Sequence, residues 1–281
     1  MTPRDPAPTN GTAGSIAGDP LPEELAAALT LSAAARGAFG ARLFYAAETG
    51  STNDLAAAAA ARGEPEGTTF VAGAQTAGRG RLGRTWFSPP GAGLYISTIV
   101  RRPSVAPWVT LAGGVAVAEG IRAATGLPVQ IKWPNDIVAV GGGGFTARRK
   151  LAGILAEAAS GAHGVEHIVV GMGINLRPAA FPPELADRAT SLETELGRPV
   201  DAGLVLAGVL SALNGTLAGL EEHGAAALRG RWTALSPSAH GAAIEWDGGS
   251  GVSAGLDADG ALLVRTGAGL ARIIAGEVRW L

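Results

Sequence analysis

Apolar and polar positions follow two periods along this chain, and the switches between them mark its elements. Ala41 to Ala47 is an apolar, strand-like run that ends in the polar turn Glu48-Thr49-Gly50-Ser51-Thr52-Asn53. Asp54 to Arg62 is alanine-rich and stops at Gly63, the pattern of a helix with a glycine C-terminal stop. Thr68–Ala74 and Gly93–Arg101 read as strands on either side of a long polar loop, and Pro107–Thr125 as an apolar helix. Val129–Trp133 and Ile137–Val140 predict strands flanking Pro134-Asn135-Asp136. Gly141 to Gly144 predicts a turn or hairpin, because four glycines carry no ordering side chain. Leu151–Ala159 and His167–Gly173 are again strand-like, and Asp201–His223 is helical. After Trp232 the texture becomes short polar–apolar alternation with glycine turns, as in GVSAGLDADGALLVRT. That predicts a small all-β module of about 45 residues.

The N-terminal region differs. Residues 1 to about 20 are rich in Pro, Gly, Thr and Asp and read as a flexible tail. Leu21 to Arg36 can form one helix, with Pro22 and two glutamates suited to its first turn. A helix-turn-helix module needs at least two packed helices, which this stretch does not supply. The order of elements fits an α+β protein with a mixed or antiparallel sheet and a small barrel behind it. The expected division is a tail over 1–40 with one possible helix, a catalytic domain over 41–233 and a β domain over 234–281.

Composition narrows the class. With 281 residues, 47% hydrophobic and 16% charged, the chain can bury a sizeable core, and at 5% aromatic content that core rests on Ala, Val, Leu and Ile. A formal net charge of −2 provides no global basic field for nucleic acid. The lack of cysteine excludes disulfides, thiolate zinc sites and a cysteine nucleophile, and fits the cytoplasm. The first residues lack the basic-then-apolar order of a signal peptide. Gly, Pro or charge interrupts each apolar stretch before 18 residues, so no membrane span is expected.

Four segments carry candidate chemistry. Gly78 to Arg84 packs Arg79, Arg81 and Arg84 among three glycines, and Val71 to Arg102 holds five basic residues and no acidic one. Guanidinium forks suit phosphate or carboxylate oxygens, and glycines let backbone amides approach a ligand. A solvated flexible loop or an RNA contact would have the same composition. GxxxxGK[ST] is absent, and the run does not follow GxGxxG spacing, so a nucleotide site here is of another kind. Lys132-Trp133-Pro134-Asn135-Asp136 brings a lysine, an amide and a carboxylate to strand ends, or is simply a proline turn. Lys150 enters an otherwise apolar strand, either facing a pocket or lying on a sheet edge. The alternating glycines of Val170-Gly171-Met172-Gly173-Ile174-Asn175 clear one strand face for a flat ligand, or reflect the chain's glycine bias.

Taken together, ETGSTN (48–53), AGAQTAGRGRLGRTWFSPPGAGLYIS (72–97), IKWPNDI (131–137), RKLAGILAE (149–157) and VVGMGINL (169–176) resemble the biotin–protein ligases. The resemblance runs from about Phe44 to Asn175 and resumes weakly over residues 251–264. It implies a class II synthetase-like catalytic domain, a C-terminal SH3-like barrel, and a monofunctional enzyme lacking the N-terminal DNA-binding domain that some members carry. The implied activity is ATP-dependent formation of biotinyl-5'-AMP and transfer of biotin to a lysine of a biotin carboxyl carrier domain.

Site roles follow from the same resemblance. Ser51, Thr52, Asn53, Gln75, Gly78, Arg79, Lys150 and Gly153 would contact biotin. Arg81, Arg84, Trp86, Lys132, Asn135 and Asn175 would hold ATP. Arg81, Lys150 and Asp136 would be catalytic, with Asp136 orienting or deprotonating the incoming lysine. Mg²⁺ would accompany ATP without a dedicated protein cage. The expected partners are biotin, ATP and the carrier domain, with neither nucleic acid nor membrane, in a monomer or weak homodimer. The alternatives are a lipoate or octanoate ligase, which would want an apolar tunnel, and a nucleic-acid-binding regulator using the arginine loop.

Overall fold

The computed structural model describes residues 18–140 and 148–281, so the Gly141–Gly144 turn lies outside the described residues. In chain order the elements are α1 (Glu23–Leu31), α2 (Ala33–Arg36), β1 (Leu43–Ala46), α3 (Thr52–Ala61), β2 (Thr69–Ala72) and β3 (Gly93–Val100). They continue with α4 (Val109–Thr125), β4 (Gln130–Lys132), β5 (Asp136–Val140), β6 (Arg148–Gly161), β7 (Gly164–Asn175), α5 (Leu192–Leu196) and α6 (Ala202–Leu235). The C-terminal strands are β8 (His240–Trp246), β9 (Gly249–Leu256), β10 (Leu262–Thr266), β11 (Gly269–Ile273) and β12 (Arg279–Trp280).

The main sheet has the order β1-β2-β3-β7-β6-β5-β4, in which β1 and β2 pair in parallel and every other pair is antiparallel. Strand alternation gives its two faces different tasks. Val71, Ile96, Val100, Val170, Met172 and Ile154 point into the large core with α4 and α6. Phe70, Ile99 and Val169 point the other way and pack beneath Ala56, Ala59 and Ala60 of α3. Helix α3 is short, so the rest of that second face is left to Ser97, Gly153, Gly171 and Gly173, which share its parity. This uncovered stretch becomes the floor of the site.

Helices α4 and α6 cross at two glycines. A Cβ at Gly120 would lie 2.6 Å from the Val209 Cα, and one at Gly208 would lie 2.8 Å from the Gly120 carbonyl oxygen. Asp201 caps α6 by accepting the Leu204 amide at 2.9 Å. The helix runs to Leu235, beyond the expected His223, with a break at Gly224, whose φ of 75° suits glycine. The segments Pro103–Thr125 and Ala202–Leu235 are, at 23 and 34 residues, long and apolar enough to cross a membrane by length and composition. The expected interruptions do not prevent this, because the many Ala, Val and Leu residues between them keep the mean hydropathy high. Both segments are mostly buried within the protein.

Leu21–Arg36 is two helices and not the single one expected. Ser32 leaves helical geometry, with ψ of 3°, and its hydroxyl donates to the Ala28 carbonyl at 2.8 Å. Arg36, buried at the end of α2, then donates to the carbonyls of Leu29 and Phe39 and satisfies the end of α1. Leu25, Ala28 and Leu29 are buried in the main core, so the chain from Gly18 onward is structured where a tail was expected. The described residues ahead of β1 contain these two helices and no winged-helix arrangement.

The five C-terminal strands form an antiparallel sheet of order β11-β10-β9-β8-β12, in keeping with the expected SH3-like module. It docks on the larger domain through Trp133, whose Nε1 donates to the Gly260 carbonyl at 3.2 Å, and through Arg229, which donates to the Asp257 carbonyl at 3.1 Å. Gly120→Leu should lower stability by about 1–3 kcal/mol in urea unfolding, because the helix crossing has no room for a side chain. Leu31→Ala, at a position 87% exposed, should stay within about 0.5 kcal/mol of the parent.

Candidate active site

The floor of the site is made of glycines because a ring lies on it. A Cβ at Gly173 would sit 2.5 Å from the Trp86 indole, and one at Gly153 would sit 3.0 Å from it. The register pairs Gly153 with Gly173, so both lie under the same ring. The Trp86 Nε1 is buried without a hydrogen-bond partner among the described residues, and the Lys150 ammonium stands 5.2 Å from the ring centroid. On one side of Trp86 is a cavity of about 50 Å³, and on the other a groove of about 680 Å³.

One wall of the smaller cavity is built from neutral polar groups. Ser51, Thr52 and Asn53 open helix α3, and all three are buried. The Thr52 amide donates to the Gln75 Oε1 at 2.8 Å, and the Gln75 Nε2 donates to the Ser88 hydroxyl at 2.9 Å. Ser97, wholly buried on β3, has its Oγ 2.7 Å from the Thr52 Oγ1 and 2.5 Å from the Asn53 Oδ1. The Asn53 Nδ2 donates to Glu157 on β6 at 2.5 Å. Gly78 is packed behind this group: a Cβ there would lie 2.4 Å from the Trp86 carbonyl and 3.1 Å from the Gln75 Nε2. Arg79 spans the rim and pairs with Asp54 at 2.7 Å and Glu157 at 3.2 Å, which hold its guanidinium more firmly protonated than usual, Asp54 most of all.

The larger groove gathers cations. Arg81 donates to the Asn135 Oδ1 at 2.9 Å, and the Asn135 Nδ2 donates to the Ile154 carbonyl at 2.9 Å. Burial makes Arg81 less basic than a free arginine, against the opposing pull of Asp136 and Glu277. Lys150 pairs with Asp136 at 2.6 Å. Arg84 makes a two-pronged ion pair with Glu277 of the C-terminal domain, and that carboxyl is pulled below its usual range by Arg84 first, then by Lys132 and Lys150. Lys132 has no ion-pair partner among the described residues, and burial lowers its basicity. Asn175, also on the groove, is held by a 2.9 Å bond from its Nδ2 to the Thr190 carbonyl. At the apex of the arginine loop Leu82 is left-handed, with φ of 56°, and 72% exposed. An anhydride-forming reaction between two anions fits these surroundings: neutral recognition at one end and concentrated positive charge at the other.

A family model described as the Biotin/lipoate A/B protein ligase family matches residues 46–175, and a Biotin protein ligase C terminal domain model matches residues 250–279. The Bifunctional ligase/repressor BirA of Bacillus subtilis is 35% identical over 248 residues, 85% of this chain and 74% of that one. The biotin–[acetyl-CoA-carboxylase] ligase of Paracoccus denitrificans is 33% identical over 250 residues, 83% of this chain and 98% of that one. The chain belongs to the biotin protein ligase family. The fold agrees: a biotin protein ligase from Aquifex aeolicus in complex with biotin and ATP superposes with a TM-score of 0.73 at 29% identity, covering 86% of this chain and 100% of that one.

In this biotin protein ligase family member the residues singled out from sequence converge on the one composite site. Ser51, Thr52, Asn53, Gln75, Arg79 and Gly153 border the smaller cavity, with Gly78 packed behind it. Arg84, Lys132, Asp136 and Asn175 border the groove, and Arg81, Trp86, Asn135 and Lys150 border both. Sequence reasoning passed over Ser88, Ser97, Asp54, Glu157 and Glu277, which hold the predicted residues in place. Ser88, Ser97 and Glu157 lie within the family-like motifs and Asp54 directly follows one; Glu277 comes from the loop between β11 and β12, and only the fold brings it in. Trp133, inside the most distinctive motif, serves the domain contact.

Lys132 yields a signed prediction. Its folded basicity is lowered, so the unfolded chain binds that proton more tightly, and stability rises with pH between the lowered value and the ordinary lysine value. Over the same interval the folded protein loses a cation from the groove. Lys132→Met should therefore raise the midpoint of thermal unfolding at neutral pH and also raise the KM for ATP. Calorimetry and steady-state kinetics on one preparation check both.

Proposed function

We propose that the protein joins biotin to ATP to form biotinyl-5'-AMP and pyrophosphate, and then passes the biotinyl group to a lysine of a carrier domain. The observation that carries this is one continuous site on the Gly153–Gly173 floor, with neutral polar groups at one end and Arg81, Arg84, Lys132 and Lys150 at the other. The Aquifex aeolicus ligase, of the same fold, binds biotin and ATP.

In the first step a carboxylate oxygen of biotin attacks the α-phosphorus of ATP and pyrophosphate leaves. Both reactants are anionic, so approach requires local positive charge already in place. Lys150 stands beside Trp86 at the junction of cavity and groove, where the carboxylate and the α-phosphate would meet. Arg81, held by Asn135, faces the same junction. The nucleotide would enter as its magnesium complex, the ion offsetting phosphate charge together with Arg81, Arg84, Lys132 and Lys150 on the groove. In the second step the carrier lysine amine attacks the anhydride carbonyl, AMP departs and an amide forms. Asp136, a carboxylate on the groove, would orient the amine and take its proton. The anhydride hydrolyses in water, so the glycine–arginine loop would shield it until the carrier docks.

The domain division at residues 41–233 and 234–281 belongs to the same reading, with the larger domain carrying the chemistry. A cytoplasmic setting fits a chain without cysteine. A monomer or weak homodimer is compatible with β1, an edge strand flanked outwardly, among the described residues, by the Asp19–Tyr45 bridge. A lipoate or octanoate ligase would need an apolar tunnel where Thr52, Gln75 and Asn53 stand.

The test is pyrophosphate release from MgATP with biotin, lipoate or no acid, followed by transfer of label to a biotin carboxyl carrier domain. Release with biotin alone is expected; release that ignores biotin overturns the assignment. Lys150→Ala should slow adenylate formation by about 100-fold or more while the unfolding midpoint changes little. A normal rate of pyrophosphate release in that variant removes Lys150 from the mechanism.

A further inference from the structure

The neutral end of the site has a fixed hydrogen-bond polarity, set from a residue outside it. Glu157 is a carboxylate and can only accept, so the Asn53 atom 2.5 Å from it is the Nδ2. The Asn53 Oδ1 therefore faces the Ser97 Oγ at 2.5 Å. Two oxygens at that distance need a proton between them, and the carboxamide oxygen has none, so Ser97 donates. Ser97 has one proton. Its second contact, 2.7 Å to the Thr52 Oγ1, must then be a bond in which Thr52 donates. The Thr52 Oγ1 lies 3.1 Å from the Gln75 Oε1, a distance that two oxygens tolerate without a proton. Gln75 cannot turn over, because its Oε1 takes the Thr52 amide at 2.8 Å and its Nε2 gives one hydrogen to Ser88 at 2.9 Å.

The donor and acceptor directions from Glu157 through Asn53 and Ser97 to Thr52 are thus fixed, and Thr52 and Gln75 each keep one capacity for the cavity. The Thr52 Oγ1 keeps a lone pair, and the Gln75 Nε2 keeps its second hydrogen. We infer that Glu157, Asn53 and Ser97 are positioning residues that hold Thr52 as an acceptor beside Gln75 as a donor, so that the cavity selects a neutral ring presenting an N–H next to a C=O. A cyclic urea meets both. A dithiolane meets neither and would leave two buried polar groups unpaired. A cyclic guanidinium, as in 2-iminobiotin, brings only donors and sets one against the Gln75 Nε2–H.

This inference rests on the proposed biotin chemistry, and its failure is separable from the failure of that chemistry. Biotin-dependent pyrophosphate release by the parent enzyme tests the chemistry; the inference is read from variants of an active parent. Ser97→Ala frees the Thr52 hydroxyl to turn toward Gln75. The KM for biotin should rise about 10-fold, as for loss of one oriented hydrogen bond, while kcat and the KM for ATP hold. The preference for biotin over 2-iminobiotin in pyrophosphate release should narrow. Glu157→Leu, at a part-exposed position where folding is not at issue, lets the Asn53 amide turn over and should give the same pattern. Glu157→Gln keeps a carbonyl oxygen for Asn53 and Arg79 and should restore the parent KM. An unchanged biotin KM in a folded Ser97→Ala protein overturns the inference. If that variant does not fold, an unchanged KM in Glu157→Leu overturns it instead. Failure of Glu157→Gln to rescue, or a parallel loss of kcat and ATP affinity, also overturns it.

Discussion

Six cations, Arg81, Arg84, Lys132, Arg148, Lys150 and Arg188, line one groove with the two carboxylates Asp136 and Glu277. Their mutual repulsion is the constraint that the rest of the site is arranged to meet. Unit charges a few ångströms apart interact by about 4 kcal/mol at an effective dielectric near 20, so such a group collapses or scatters unless each member is held. Four of them, on the arginine loop and strands β4 and β6, are held in different ways. Arg84 is clasped by Glu277, Lys150 by Asp136, and Arg81 leans on the uncharged oxygen of Asn135. Lys132 is held by burial of its strand and gives up basicity for it. Six cations against two carboxylates leave an excess of four positive charges on the groove, in a protein whose formal charge is −2. The field is therefore local and suits a polyphosphate, with little reach toward an extended polyanion.

The opposite end works by the contrary rule. Ser51, Thr52, Asn53, Gln75, Ser88 and Ser97 carry no charge, and most of their donors and acceptors are spent on one another. Packing dictates where this can happen. Helix α3 covers its face of the sheet only as far as Ile99 and Val169, and beyond it the strands offer serine and glycine. The same alternation that places Ile96, Ile154 and Met172 in the main core places Ser97, Gly153, Gly171 and Gly173 on the open floor. Core and site are two sides of one register, and a one-residue slip in β6 or β7 would exchange them.

Much of this was legible in the sequence, for identifiable reasons. Strands β2, β3, β6 and β7 stand out because their apolar runs are bounded by polar turns, and α4 because a 17-residue helix carries its own period. The arginine loop, the Lys132–Asp136 turn and Lys150 stand out because charge or amide interrupts an apolar context. The division of α1 from α2 was not legible, since Ser32 breaks the helix only when Arg36 has carbonyls to reach across it. Nor was Trp133 as a domain contact, because its partner Gly260 lies 127 residues on in a loop of unremarkable composition. Glu157 closes the Arg149–Glu157 motif and Glu277 is a single acidic residue among many, and nothing local shows which side chain either one holds. Their roles come from register and docking, which are long-range facts.

The C-terminal domain is the element whose importance composition least conveys. It supplies Glu277 to the loop that carries Arg81 and Arg84, and Gly260 to the turn that carries Asn135 and Asp136. Both anchored segments border the groove, so the small domain fixes the separation between its two walls. The two anchors differ in kind. The Trp133 bond is neutral and largely buried, indifferent to whatever anion enters. The Arg84–Glu277 pair is exposed, 63% at the arginine side chain and 55% at the glutamate, so solvent screens it and its contribution is small. A phosphate group can take the place of that carboxylate at Arg84 without disturbing the bond that seats the domain. The wall bearing Asn135 and Asp136 is therefore the more firmly tied to the small domain, and the loop bearing Arg81 and Arg84 the less.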